Sequence, residues 1–217
     1  MKPRTPLLVL SLFAALSAMA APLPPEVADL AHEWERIKYQ APKDQRAAAF
    51  VALAERAAKN SAAHSGSAPA LIWEAIILAS TAGEKGGLGA LSLVKKAKQL
   101  LDQAEGLDPN ALDGSVYTSL GSLYYQVPGW PIGFGNTDKA REYLQKALAA
   151  NPGGIDANYF YGDFLMEQGD YTGAAQAFEK ALAAPARPDR PLGDSGRREE
   201  TRVKLAEAQK RANGQAR

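Results

Sequence analysis

The chain has no cysteine, which excludes disulfide staples, thiolate metal sites, cysteine nucleophiles and iron–sulfur ligation together. Histidine is almost as scarce, with only His32 and His64, standing in different helical patterns, so imidazole-based metal binding has little to work with. Neither sign of charge dominates: 25 basic and 24 acidic side chains leave a formal +1, too weak a field to gather nucleic acid or an anionic membrane. Catalytic signatures are missing too. There is no G-x-S-x-G nucleophile elbow, H-E-x-x-H or phosphate-binding loop, and Gly87-x-Gly89 and Gly133-x-Gly135 lack the strand that precedes a nucleotide-binding turn. Paired carboxylates such as Glu199 and Glu200 fall on a solvated helix pattern, without the burial that raises the pKa of a general acid. These absences point to a chain that is not an enzyme and needs no cofactor and no metal. A 46% hydrophobic, 23% charged composition suits one globular domain.

Long apolar runs are also lacking. Leu7 to Leu16 is too short to cross a bilayer, but it follows Lys2 and Arg4 and precedes Ala18-Met19-Ala20, an A-x-A cleavage pattern. Residues 1–20 are therefore expected to be a cleaved signal peptide, and the mature protein periplasmic and without an integral membrane span. No cysteine stands at the cleavage point to take a lipid.

What the sequence does contain is repetition. Ala97 to Ala104 before Pro109, Ala140 to Ala147 before Pro152, and Ala174 to Ala181 before Pro185 repeat one phrase, the last two 34 residues apart. Alanines at i and i+7 flanking a large apolar residue at i+4 make a close-contact stripe on a helix, and proline ends it by breaking the hydrogen-bond ladder. Tyr117-x2-Leu120-Gly121-x2-Tyr124 and Asn158-x2-Tyr161-Gly162-x2-Leu165 follow the first-helix pattern of the tetratricopeptide repeat, with glycine where backbones approach most closely. Those residues are expected in the core. Leu71 to Ala79, apolar on every side, supplies the first helix of an earlier hairpin. Helical spacing over Glu26–Tyr39 and Lys43–Ser61 makes an N-terminal hairpin, and a charged helix capped by Asp194 or Ser195 runs to about Arg211. The expected fold is all-α: tetratricopeptide-like hairpins in a right-handed solenoid, with the N-terminal hairpin over residues 21–66, about three repeats over 67–186, and a Pro/Arg linker with a capping helix over 187–217.

Departures from the repeat mark candidate sites. Between Gly121 and Gly162 the period stretches to accommodate Gln126 to Gly135, a loop stiffened by Pro128 and Pro131 that carries Val127, Trp130, Ile132 and Phe134. It either plugs its own repeat or contacts a partner. Gly83 to Gly89 predicts a second enlarged loop on the same edge. First-helix residues off the core stripe should line a concave groove: Trp73, Ile76, Ser122, Tyr125, Tyr159, Asp163, Met166 and Glu167. That gives an apolar floor with an acidic end, unless a terminal segment folds in and uses these residues as core. Arg187 and Arg190, with Arg197 and Arg198 nearby, either grip an acidic partner or pair with Asp189, Asp194, Glu199 and Glu200.

The stretch YTSLGSLYYQVPGWPIGF from Tyr117 to Phe134, Asn158 to Gly162 and the tail Arg187 to Leu192 resemble the TRAP-transporter T-component family of bacterial periplasmic helical-repeat proteins. The resemblance spans about Leu71 to Arg202, and the VPGWPIGFG insert is its distinctive part. It implies a protein partner, the periplasmic solute-binding component of a tripartite transporter, and a cleft that admits an apolar solute, with the insert and Tyr124, Tyr125 and Trp130 on its lining. The expected function is thus a non-enzymatic scaffold for protein–protein interaction; the alternative is a carrier of a small apolar ligand in the helical cleft.

Overall fold

The computed structural model describes residues 22–215, which form nine helices: α1 (Pro25–Tyr39), α2 (Lys43–Ala63), α3 (Ala68–Lys85), α4 (Gly87–Leu107), α5 (Ala111–Gln126), α6 (Thr137–Ala150), α7 (Ile155–Glu167), α8 (Tyr171–Ala183) and α9 (Pro191–Gln215). The expected signal peptide lies outside the described residues. Three helix starts carry short polar side chains that accept from otherwise unpaired N–H groups. Asn136 accepts from the Lys139 amide at 2.9 Å ahead of α6, Asp170 from Gly173 at 2.9 Å ahead of α8, and Ser67 from Ala70 at 3.3 Å ahead of α3. No strand forms among the described residues; an isolated bridge joins Gly129 and Gly135. No helix among them is long and apolar enough to cross a membrane.

The alanine stripes do what their spacing requires. Ala140, Leu144 and Ala147 of α6, and Ala174, Phe178 and Ala181 of α8, are buried. Each large residue sits against the glycine of the preceding first helix: a Cβ on Gly121 would lie 2.6 Å from Leu144 Cγ, and one on Gly162 would lie 2.7 Å from Phe178 Cε1. Only glycine admits these approaches.

The hairpins stack so that α1, α3, α5, α7 and α9 form an inner layer and α2, α4, α6 and α8 an outer one, each inner helix touching the next. The chain is a helical-repeat solenoid, with two departures from the sequence reading. First, α9 caps the last hairpin by packing on α8 but does more than cover the open end. It occupies a fifth inner position and packs against α1 as well as α7, so the inner layer closes on itself. It begins at Pro191, ahead of Asp194, whose carboxylate instead turns back to accept from the Arg187 amide and Nε, both at 2.7 Å. Second, Gly83 to Gly89 is not an enlarged loop. Helix α3 runs to Lys85 and α4 starts at Gly87; Gly86 and Gly87, at φ 60° and 67°, reverse the chain with one residue between helices, angles glycine adopts without strain.

Candidate functional site

The inner layer lines a chamber of about 480 Å³ that opens to solvent at a rim where Gly83, Asp113 and Gln126 are exposed. One wall is aromatic. Trp34 of α1 and Trp73 of α3 meet edge to face at 6.2 Å, with Ile76 beside them, and Trp34 Nε1 donates to Ser80 Oγ at 2.7 Å. The indole N–H of Trp73 is buried with no hydrogen-bond partner, and the Arg190 guanidinium lies 5.1 Å from the centre of its ring. Another part of the lining is polar. Helix α5 presents Ser115, Thr118, Ser119, Ser122 and Gln126, a stripe at three- and four-residue spacing about 16 Å long at 1.5 Å per residue.

At the start of α5 the backbone is strained. Leu112, Asp113 and Gly114 are left-handed in succession, at φ 51°, 55° and 75°. Leu112 and Asp113 line the chamber, and a non-glycine residue held there costs about 1–3 kcal/mol.

Around α9, charge pairs tie the chamber's lining to α7 and α1. Asp156 of α7 accepts from Arg187 Nη1 and Arg197 Nε, both at 2.8 Å. Arg197 also donates to Glu200 at 2.6 Å and lies over Tyr159 and Phe160, 4.3 and 4.9 Å from their ring centres. Arg190 Nε donates to Glu35 of α1 at 2.6 Å, and Glu35 is 2% exposed. Asp189 joins the N-terminal segment twice: its carboxylate accepts from the Leu23 amide at 2.7 Å and its carbonyl from His32 Nε2 at 2.8 Å. Small residues permit the approach, since a Cβ on Gly193 would overlap Glu35 and one on Gly196 would overlap the Tyr39 ring. Burial opposes ionisation of Asp156, but Arg187, Arg197 and Arg190 outweigh it and hold its pKa well below the usual carboxylate range. Burial pushes the phenols of Tyr39 and Tyr125 above their ordinary values, the Asp163 carboxylate adding to the second.

The 127–136 loop lies elsewhere. Its backbone is fixed by bonds from Gly135 N to the Pro128 carbonyl at 3.0 Å and from Asn136 N to the Tyr124 carbonyl at 2.8 Å. A Cβ on Gly133 or Gly135 would collide with the carbonyls of Pro128 and Val127, so these glycines are sterically required. Phe134 packs edge to face on Tyr124 at 5.8 Å. Trp130 and Ile132 project outward, 90% and 66% exposed; neither plugs a gap between helices.

The sequence-selected residues therefore divide. Trp73, Ile76, Tyr159, Asp163, Arg187 and Arg190 line the chamber. Trp130, Ile132 and Phe134 form the loop, anchored through Tyr124 and the buried Val127. Tyr125 donates to Asp163 at 2.8 Å and packs on Phe164, Met166 is buried in the core, and Glu167 is exposed at the end of α7. As a correction, Trp73, Tyr159 and Met166 are at most 8% exposed because α1 and α9 cover the concavity. The four arginines find partners rather than standing free: Arg187 pairs with Asp194 and Arg197 with Glu200 as the sequence allows, while Asp156, Glu35 and the Leu182 and Ala184 carbonyls, which accept from Arg198 at 2.5 and 2.7 Å, are further partners. Trp34, Glu35, Asp156, Ser115, Thr118 and Ser119 were not anticipated as lining or seam residues, whereas Ser122 was. Among the described residues no group of three or more His, Asp or Glu is placed to hold a metal ion.

Residues 132–191, the region of α6 to α8, match the tetratricopeptide repeat family. No curated protein matches the chain. Repeats of this class generally mediate contacts between proteins.

Proposed function

We propose that this protein is a non-enzymatic interaction scaffold of the bacterial periplasm that captures a protein partner on its 127–136 loop. The observation that carries the reading is the near-complete exposure of Trp130, beside Ile132, on a backbone locked by glycine packing and hydrogen bonds. A tryptophan held out in water by a rigid loop loses little freedom on docking and brings a large apolar surface to the contact. Such aromatic anchors dominate interfaces, where truncation costs about 2 kcal/mol or more. The periplasmic address rests on the Lys2 to Ala20 leader pattern. The choice of partner, the solute-binding component of a TRAP-type transporter, rests on the resemblance of the VPGWPIGFG insert.

Crosslinking in intact cells followed by pull-down tests this. Trp130→Ala should cut recovery of the partner roughly thirtyfold, as about 2 kcal/mol implies, with Ile132→Ala weaker in effect and helical circular dichroism unchanged. Equal recovery with wild type and Trp130→Ala would falsify the docking loop, and capture of cytoplasmic proteins alone would overturn the address. One observation favours the second reading, a small-ligand carrier: the 480 Å³ chamber, within the range of about 300–1,000 Å³ typical of small-molecule sites.

A further inference from the structure

We infer that the chamber takes a small planar hydrogen-bond donor carrying no negative charge, of the aromatic amine or alcohol class. This rests on the carrier reading and is independent of the docking loop.

Charge excludes an anion. The cationic side chains of the lining, Lys38, Arg187, Arg190 and Arg197, are each already held by carboxylates, at 3.5 Å for Lys38 with Glu200 and 2.6–2.8 Å for the arginines. Glu84 of α3 and Asp113 at the exposed rim also line the chamber and form no ion pair among the described residues. An anion entering here would lose its hydration and meet spare carboxylates rather than spare cations.

Two hydroxyls of the α5 stripe ask for a donor. The Ser115 hydroxyl donates to the Leu112 carbonyl at 2.7 Å and the Ser122 hydroxyl to the Ser119 carbonyl at 3.1 Å. With their protons directed to the backbone, these oxygens offer lone pairs alone. A planar ring fits because the edge-to-face pair of Trp34 and Trp73 borders the chamber, leaving narrow aromatic margins for a flat partner. The left-handed run at Leu112 and Asp113, which shapes the polar side, is strain of the kind that collects at ligand sites.

The chain has three tryptophans, and replacing the exposed one with Phe leaves only those of the chamber wall. The Trp130→Phe protein is titrated with 7-amino-4-methylcoumarin, a neutral planar aromatic amine, while energy transfer from indole to coumarin is followed. Transfer should saturate at one probe per chain. The 3-acetic acid derivative, the same ring with a carboxylate, should bind at least about tenfold more weakly, a difference of about 1.4 kcal/mol. Naphthalene, flat but without donors, should fail to displace the amine at equal concentration. Ser119→Trp, which fills the chamber, should abolish transfer; persistence in a folded Ser119→Trp protein overturns the site. Should that variant not fold, the three-probe comparison on the Trp130→Phe protein decides alone. No saturable transfer overturns the carrier reading itself. Equal binding of the acid, or full displacement by naphthalene, overturns the ligand class while leaving a carrier.

Discussion

Between α5 and α6 the close contact is Gly121 against Leu144, and between α7 and α8 it is Gly162 against Phe178; between α1 and α9 it is Gly193 against Glu35 and Gly196 against Tyr39. The steric device is shared: glycine lets one backbone approach another element. The partners differ in kind. Within the hairpins they are apolar, near in sequence and indifferent to direction, so the contact depends on volume. At the seam they are polar and far apart in the chain, 155 residues for Arg190 and Glu35. A contact of that sort depends on both members being present, since a buried charge without its partner is worse than no charge at all.

The largest expected effect tests that asymmetry. Arg190→Met leaves Glu35 buried and unpaired and should cost about 3–5 kcal/mol, lowering the melting temperature by roughly 10 °C at about 2–4 °C per kcal/mol for a chain of this size. Adding Glu35→Leu should recover most of the loss, because an apolar pair of similar volume is often neutral or stabilising. A smaller effect is expected inside the repeats, where Gly162→Ala forces a methyl against the Phe178 ring and should cost about 1–3 kcal/mol by overpacking, read by urea denaturation. If the seam single is no worse than Gly162→Ala, or the seam double is worse than the single, the two regions do not differ as argued.

The same contrast explains which parts of the molecule could be read in the sequence. Repeats were legible because their contacts are local and periodic: the alanine stripes, Gly121 and Gly162 recur at helical spacing and the prolines close each phrase. Ring closure was not, because pairings such as Arg190 with Glu35 or Asp189 with Leu23 leave no periodic trace. Two signals did exist. Glu35 lies beside the apolar stripe Val27, Leu30, Ala31 and Trp34, where a carboxylate demands a partner, and Gly193 and Gly196 stand one helical turn apart. The Gly83 to Gly89 error has a different cause. Glycines read as a loop can equally be the left-handed angles that turn a helix around in a single step. For Trp130 the residues allowed both a plug and a projection, and only the packed carbonyls around Gly133 and Gly135 decide between them.

Acid should distinguish the regions most gently. The pKa of Asp156 lies below its ordinary value in the folded chain because Arg187, Arg197 and Arg190 overcome the opposing effect of burial. A lowered folded-state pKa contributes stability that is fully present above the unfolded value, about 3.9, and is lost as pH falls through the folded one. Nothing at this carboxylate should therefore change between roughly pH 8 and 5. Below about 3.9 the α7–α9 junction should loosen before the repeats do, since Leu144 and Phe178 carry no proton to gain. In the Trp130→Phe protein, emission from Trp34 and Trp73 reports the chamber while circular dichroism reports the helices, and emission should move at the higher pH of the two. Asp156→Asn should narrow that gap, for it removes the carboxylate that both guanidinium groups share. Coincident transitions in the unmodified seam would mean that ring and repeats titrate as one unit, and the division drawn between them would fail.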